Sequence, residues 1–145
     1  MDEAPINAIF VYGTLKRGEC RAQFWPHPPR RVEPAVIRGR LYDLGPYPAL
    51  GPGNDIVRGE VWLLAPEHVD ETLRVLDEVE GADRLKNAYY RRIVVECRGD
   101  DGRSCRAWAY EFGDLERLQD KPVVASDGRG ECSWHGGERK RQNEE

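Results

Sequence analysis

Ile9-Phe10-Val11-Tyr12-Gly13-Thr14-Leu15-Lys16-Arg17-Gly18 begins as an apolar strand and continues into a turn centred on glycine. A short, nearly continuous apolar run predicts a strand buried on both faces, here over residues 7–12. Gly13 allows the backbone to approach a ligand closely, and successive N–H groups after a strand can form an anion-binding site. Taken alone, a Y-G-T-L string is more often an ordinary turn at the end of a strand.

The second informative stretch is a helix predicted over residues 66–81, with a proline in its first turn and a glycine at its end. At about 100° per residue, Glu80 falls on the apolar face, within about 60° of Leu76. Burial and the negative end of the helix disfavour its charged form, so this carboxylate is suited to shuttle protons near neutral pH. If the helix frays early, Glu80 instead turns outward or pairs with one of three arginines: Arg84, Arg91 or Arg92.

Elsewhere the pattern predicts four more strands, separated by breaks. Residues 16–25 favour a short helix, and prolines end it before a connector over residues 26–34. Residues 45–53 are so rich in proline and glycine that we expect a shaped loop, able to wall a pocket. The other strands are expected at residues 36–44, 56–64, 89–97 and 104–112.

The length of 145 residues fits one domain with a single core. We expect that domain over residues 1–125, followed by a C-terminal tail over residues 126–145. The last ten residues are too polar to order themselves. Trp134 is the exception, since a tryptophan in a polar terminus is expected to dock on the fold.

Composition bounds the partners of this chain. Lys and Arg number 22 against 26 Asp and Glu, a net charge of -4 with no basic half, so nucleic acid is not an expected partner. No apolar run approaches the roughly 18 residues that cross a bilayer, and the first five residues are too polar to open a secretion signal. We therefore expect a cytoplasmic protein without a membrane partner; its oligomeric state has no signature in the sequence.

The four cysteines do not indicate a metal site, because the chain has no C-x-x-C pair and no histidine at metal-ligand spacing. Cys97 and Cys105 flank a predicted hairpin loop and are expected to face each other as thiols. Cys20 follows the Gly13 turn, but a nucleophilic role would need a partner base, and an ordinary small hydrophobic residue is the favoured interpretation.

Five motifs stand in order along the chain: Phe10–Gly18, Leu41–Leu50, Gly59–Trp62, Leu76–Gly81 and Tyr90–Arg92. Each is weak singly, but together and in this order they resemble the gamma-glutamylcyclotransferase-like family, which includes AIG2-like proteins and small bacterial relatives. The resemblance spans about residues 7–112. It implies an α+β fold, a small mixed β-barrel with flanking helices, whose pocket lies where the Y-G-T-L turn meets the glutamate.

The reaction implied by this resemblance is an intramolecular aminolysis, in which the α-amino group of a γ-glutamyl unit attacks its own γ-carbonyl and releases 5-oxoproline. Glu80 would be the general acid and base for both proton transfers. The residues carried over as substrate-binding are Tyr12, Gly13, Thr14, Leu15 and Tyr90. The turn would bind either the glutamyl carboxylate or the developing oxyanion, whereas Tyr90 would shape the pocket; Arg92 is left out of the site.

Substrate choice remains open at this stage among γ-glutamyl amino acids, γ-glutamyl amines, side-chain-linked γ-glutamyl lysine and carrier-linked chains. The chemistry requires no cofactor and no metal. The alternative is a non-enzymatic module that keeps the same pocket for a small anionic metabolite, since a fold does not guarantee turnover.

Overall fold

The computed structural model describes residues 6–19, 21–45, 47–81 and 90–134. One α-helix, α1, spans Val69–Glu80, and a 3₁₀ turn at Pro66–His68 leads into it. Two further 3₁₀ turns lie at Ala22–Phe24 and Leu115–Leu118. The strands are β1 (Ala8–Val11), β2 (Arg31–Asp43), β3 (Pro48–Leu63), β4 (Tyr90–Gly99), β5 (Ser104–Phe112) and β6 (Glu131–Cys132).

The sheet closes into a barrel because β1 pairs on both of its edges. It runs antiparallel to β3, with Ala8 opposite Leu63, and parallel to β5, with Ile9 opposite Trp108. The order β1-β5-β4-β2-β3 thus returns to β1, while β6 adds a short parallel pairing on β3. The predicted small mixed β-barrel is therefore confirmed.

Strand β1 is buried at every position, as its continuous apolar sequence predicts. Its close approach to β3 depends on Gly59, where an added Cβ would lie only 2.3 Å from the carbonyl oxygen of Val11. Glycine is needed there because a side chain would push the two strands apart. The strand that leads into the Y-G-T-L turn is thereby fixed in the barrel wall.

The predicted helix is confirmed, with α-helical hydrogen bonding from Val69 onward. Gly81 ends it in the left-handed conformation, at a φ of 72°, and the Gly81 N–H reaches the carbonyls of Asp77 and Glu78. The buried positions repeat as the helical period requires: Val69, Thr72, Leu73, Leu76 and Glu80.

Three sequence predictions about local structure are wrong. The expected loop over residues 45–53 is largely strand, because β3 begins at Pro48. Its first four residues, Pro48–Gly51, pair with Asp43–Arg40 of β2, and the pairing resumes at Asp55 after a register shift. Pro48 is tolerated as a strand's first residue, and Pro52 falls in the irregularity where the register shifts. The expected connector over 26–34 gives way to β2 at Arg31.

The expected helix over residues 16–25 is the third error, since only Ala22–Phe24 forms a 3₁₀ turn in the part of this segment that the structure describes. Gly18, at a φ of 85°, interrupts any continuous helix. The strand predictions at 36–44, 56–64, 89–97 and 104–112 correspond to parts of β2, β3, β4 and β5.

The C-terminal segment contributes to the barrel wall. Cys132 pairs with Val57 of β3, and Trp134 is 1% exposed within the core. The predicted division of the chain at residue 125 stays a prediction, and the last ten residues lie outside the described part. On the opposite hairpin, Cys97 stands directly across from Cys105, as their spacing predicts.

Candidate active site

One pocket gathers the turn after β1 and the end of α1. Residues near the ends of β3, β4 and β5 also contribute walls. The residues that line it are Phe10, Val11, Tyr12, Gly13, Thr14, Leu15, Arg21, Tyr47, Pro48, Glu80, Tyr90 and Tyr110. The structure therefore brings together all six residues that the sequence analysis selected.

Glu80 is the last residue of α1 and only 7% exposed. Burial raises the pKa of its carboxyl group from 4.5 to about 7, although the positive charge of Arg21 acts in the opposite direction. Among the described residues, its ion-pair partner is Arg21, with Nη1 at 3.7 Å from Glu80 Oε1. Near pH 7 this carboxyl group can both accept and release a proton.

Two of the alternative partners for Glu80 are engaged elsewhere. Arg91 pairs with Glu111 at 2.7 Å, and Arg92 pairs with Asp77 at 3.1 Å. The third, Arg84, lies outside the described residues. Glu80 thus faces the pocket instead of turning to these strand arginines.

The residues of the Y-G-T-L turn line the same pocket. The N–H of Lys16 donates to the carbonyl of Gly13 at 3.1 Å, which closes the turn. No acceptor within the described residues receives the N–H groups of Gly13, Thr14 or Leu15. An added Cβ at Gly13 would lie 2.7 Å from Pro48, so the wall reaches the turn only because this residue is glycine.

Three tyrosines form rigid walls because their hydroxyl groups are already hydrogen-bonded. Tyr12 donates to the carbonyl of Tyr110, Tyr90 donates to the carbonyl of Pro48 at 2.8 Å, and Tyr110 donates to Asp77 at 2.7 Å. Burial raises the pKa of each phenol, so all three stay protonated at neutral pH. Tyr90, which was selected from the sequence, lines the pocket, and its role in shaping that pocket stays a prediction.

Six lining residues were not selected from the sequence, and three of them carry a polar side-chain group: Arg21, Tyr47 and Tyr110. Tyr110 follows the alternation of β5, which could have pointed to an inward side chain. Arg21 had no such signal, since it lies in irregular chain and approaches Glu80 only through the tertiary fold. Its N–H donates to the carbonyl of Thr14 at 2.8 Å, which attaches this segment to the turn.

The two histidines in the described part of the chain do not line this pocket. His27 and His68 stack with ring centroids 3.9 Å apart, and His27 also pairs with Glu71 at the surface. Cys20 lies outside the described residues, so the cysteine-nucleophile alternative stays untested. Within the described ranges, no three His, Cys, Asp or Glu side chains come together as a metal site, and no helix is long and apolar enough to cross a membrane.

Comparison with known proteins identifies similar chains. A family model described as gamma-glutamyl cyclotransferase, AIG2-like, matches residues 9–134. A Vibrio cholerae protein provisionally named gamma-glutamylcyclotransferase is 33% identical over 116 residues, covering 77% of this chain and 87% of its own length. A Niallia circulans protein named gamma-L-glutamyl-butirosin B gamma-glutamyl cyclotransferase is 33% identical over 116 residues, covering 77% of this chain and 70% of its own.

Solved structures share the fold at lower identity. An AIG2-like protein from Mus musculus superposes with a TM-score of 0.60 at 20% identity, over 90% of this chain and 96% of that one. A structure named gamma-glutamyl cyclotransferase gives a TM-score of 0.53 at 19% identity, over 81% of this chain and 70% of that one.

Proposed function

Because this chain belongs to the gamma-glutamyl cyclotransferase, AIG2-like family, we propose that it is an enzyme that releases 5-oxoproline from a γ-glutamyl amino acid or amine. One observation carries the proposal: a buried carboxylic acid with a pKa of about 7 lines the same pocket as a turn of available backbone N–H groups. A proton shuttle and an anion-binding turn are the two elements that this reaction needs.

The reaction is a ring closure within the substrate. The α-nitrogen attacks the γ-carbonyl carbon, a carbon–nitrogen bond of the lactam forms, and the bond to the departing amine breaks. Both reacting groups belong to one molecule, so proximity comes from the substrate itself. The protein has to deprotonate the α-ammonium, stabilise the tetrahedral oxyanion and protonate the leaving nitrogen.

Glu80 performs both proton transfers in this proposal. As a carboxylate it accepts a proton from the α-ammonium, and as a carboxylic acid it returns that proton to the leaving amine. A pKa of about 7 is favourable because neither direction is strongly uphill at neutral pH. A solvent-exposed glutamate of ordinary pKa would be a much weaker base.

The N–H groups of Gly13, Thr14 and Leu15 bind an oxygen of the substrate. An oxyanion in the tetrahedral intermediate is the group that gains most from such fixed donors, since they need no reorganisation. The tyrosines at 12, 90 and 110 exclude water from one side and limit the orientations that the γ-glutamyl chain can adopt.

The test is to incubate the purified protein with a panel of γ-glutamyl amino acids, γ-glutamyl amines and side-chain-linked γ-glutamyl lysine, following 5-oxoproline by mass. Glu80→Gln removes the base while keeping the shape of the side chain, and we expect a loss of at least about a hundredfold in kcat. The matched control is Glu78→Gln, which changes an exposed carboxylate on the same helix and should retain native activity.

Two outcomes would reject parts of this proposal. Unchanged activity in Glu80→Gln would show that another group carries the proton. No release from any panel member, combined with binding of 5-oxoproline to the native protein, would favour the alternative of a non-enzymatic module for small anions.

A further inference from the structure

We propose that Arg21 binds the α-carboxylate of the γ-glutamyl group, which leaves the backbone N–H groups of the Y-G-T-L turn to stabilise the oxyanion. This inference rests on the proposed function and adds to it the group that selects a free α-carboxylate. The sequence leaves open whether the turn binds the glutamyl carboxylate or the developing oxyanion, and this inference assigns the oxyanion to the turn.

The segment that carries Arg21 is attached to the turn at two points. The backbone N–H of Arg21 donates to the carbonyl of Thr14 at 2.8 Å, and the indole N–H of Trp25 donates to the carbonyl of Leu15 at 3.0 Å. Trp25 in turn stacks on Trp62 of β3, with ring centroids 4.0 Å apart. The backbone that carries Arg21 is therefore fixed beside the turn by the fold.

Arg21 is the one basic residue among the described residues that line the pocket. The hydroxyls of Tyr12, Tyr90 and Tyr110 are already donated to protein acceptors, so they are poorly placed to bind a carboxylate. A guanidinium has five N–H donors in a planar fork that matches a carboxylate. The charge and geometry of this side chain suit an anionic group of the ligand.

The contact between Arg21 and Glu80 is long for an ion pair. At 3.7 Å it exceeds the roughly 2.7–2.9 Å of a charge-assisted hydrogen bond. The Arg21 side chain lines the pocket and is 35% exposed, so the protein does not enclose it. The pair can therefore take up a ligand between or beside its members without breaking a strong hydrogen bond.

An α-amino acid group has the complementary pattern of charge. Its ammonium and its carboxylate are attached to the same carbon, so two opposite charges lie side by side, as those of Arg21 and Glu80 do in the pocket. The carboxylate then meets Arg21 while the ammonium meets Glu80, which is also the pairing that the proton transfer requires. One arrangement thus both anchors the substrate and orders its reacting nitrogen.

Substrate binding also changes the electrostatics of the base. In the free protein the positive charge of Arg21 stabilises the carboxylate form of Glu80 and makes it a weaker base. A substrate carboxylate beside Arg21 offsets that charge, so it weakens the effect of Arg21 on the basicity of Glu80. A substrate without this carboxylate loses the contact with Arg21 and also leaves the positive charge of Arg21 uncompensated.

The experiment compares two substrates in two proteins. The first substrate is a γ-glutamyl amide with a free α-carboxylate. The second is the same compound with a carboxamide in place of that carboxylate. Both substrates release the same amine, and the rate of its release is measured. We expect the native protein to favour the carboxylate in kcat/KM by tenfold or more, a typical value for a hydrogen bond between charged groups. In Arg21→Gln the preference should fall to within about threefold.

Arg17→Gln is the matched control, since Arg17 lies on the same segment but is exposed and does not line the pocket. It should keep the native preference. Arg21→Lys, which retains the charge without the planar fork, should restore part of the preference, and a purely structural role for Arg21 would not produce this graded result.

Folding of Arg21→Gln is checked by urea denaturation, in which its unfolding midpoint should match that of Arg17→Gln. Binding of the product is a separate readout. We expect 5-oxoproline to bind the native protein more tightly than 5-oxoprolinamide, and Arg21→Gln to bind both weakly and alike. Retention of the full native carboxylate preference in Arg21→Gln would overturn the inference. Failure of the native protein to turn over any panel member would instead reject the proposed function, so the two failures are distinguishable.

Discussion

At the scale of a residue, the properties of Glu80 come from two opposing effects. Burial at 7% exposure raises the pKa of the carboxyl group, and Arg21 at 3.7 Å lowers it, with a net value of about 7. Burial dominates because the ion pair is long and its arginine remains partly hydrated. A carboxylic acid at this pKa is half ionised at neutral pH, which is the condition that a reversible proton shuttle needs.

We predict that kcat/KM for 5-oxoproline release rises with pH and reaches half its plateau near pH 7, because the free enzyme must hold Glu80 as a carboxylate. Arg21→Gln should move this midpoint to higher pH, since it removes the charge that favours ionisation. The pH dependence of initial rates measures both. A midpoint near 4.5 in the native protein would mean that burial does not raise the pKa of Glu80.

The same pKa predicts a pH dependence of stability. The folded protein holds a proton on Glu80 up to about pH 7, whereas the unfolded chain releases it near 4.5, so the free energy of unfolding falls as pH rises between these values. Glu80→Gln removes this loss. The free energy of unfolding of Glu80→Gln, minus that of the native protein, should therefore be about 2 kcal/mol larger at pH 8 than at pH 5.5. Urea denaturation at the two pH values measures this difference.

Glu78→Gln is the control for that measurement, because this exposed side chain on the same helix should leave the difference between the two pH values unchanged. If the free energy of unfolding varies with pH in the same way in the native protein and in Glu80→Gln, the buried carboxyl group is not the cause of that variation.

At the scale of an element, the end of α1 and the turn after β1 determine the geometry of the site. Gly81 ends the helix immediately after Glu80 in the left-handed conformation, and its N–H donates to the carbonyls of Asp77 and Glu78. The turn at Gly13 is closed by its own backbone hydrogen bond and packs against Pro48. Each glycine therefore fixes the position of a neighbouring functional group.

We predict that Gly81→Ala destabilises the protein by about 1–2 kcal/mol, because a φ of 72° is strained for a residue with a Cβ atom. Activity should fall as well, since the strain is relieved by movement at the position next to Glu80. Gly128→Ala is the matched control, because nothing lies within 4 Å of its added Cβ. Equal stability of the two variants in urea would contradict this account of the helix end.

At the scale of the whole molecule, the C-terminal segment supports the barrel and the turn together. Trp134 is 1% exposed in the core, and its backbone carbonyl accepts a hydrogen bond from Lys16 Nζ at 2.6 Å. Lys16 follows the Y-G-T-L turn directly, so this hydrogen bond joins the end of the described chain to the candidate site.

We predict that Trp134→Ala lowers the free energy of unfolding by about 3–5 kcal/mol, the usual cost of removing a large aromatic side chain from a core. Trp134→Phe should lose less, since it leaves a smaller cavity. Val123→Ala serves as control because Val123 is 45% exposed and its truncation should be close to neutral. A loss in Trp134→Ala no greater than in this control would show that the tryptophan does not stabilise the core.

The sequence by itself determined the features that depend on local pattern: the continuous apolar β1, the helix that ends at Gly81, and the placement of Glu80 on the apolar face. These follow from side-chain periodicity, which neighbouring residues set among themselves. The resemblance of five ordered motifs supplied the barrel and the residues of the turn.

Only the tertiary structure decided the strand at Pro48–Gly51 and the position of Arg21 at the pocket. Pairing with β2 outweighs the preference of this proline- and glycine-rich stretch for a loop. The hydrogen bonds of a strand are made to a partner strand, which the local sequence does not contain. Arg21 meets Glu80 because barrel closure and the hydrogen bond to Thr14 bring distant parts of the chain together. Contacts of that kind depend on closure of the whole barrel, and no periodicity in the sequence encodes them.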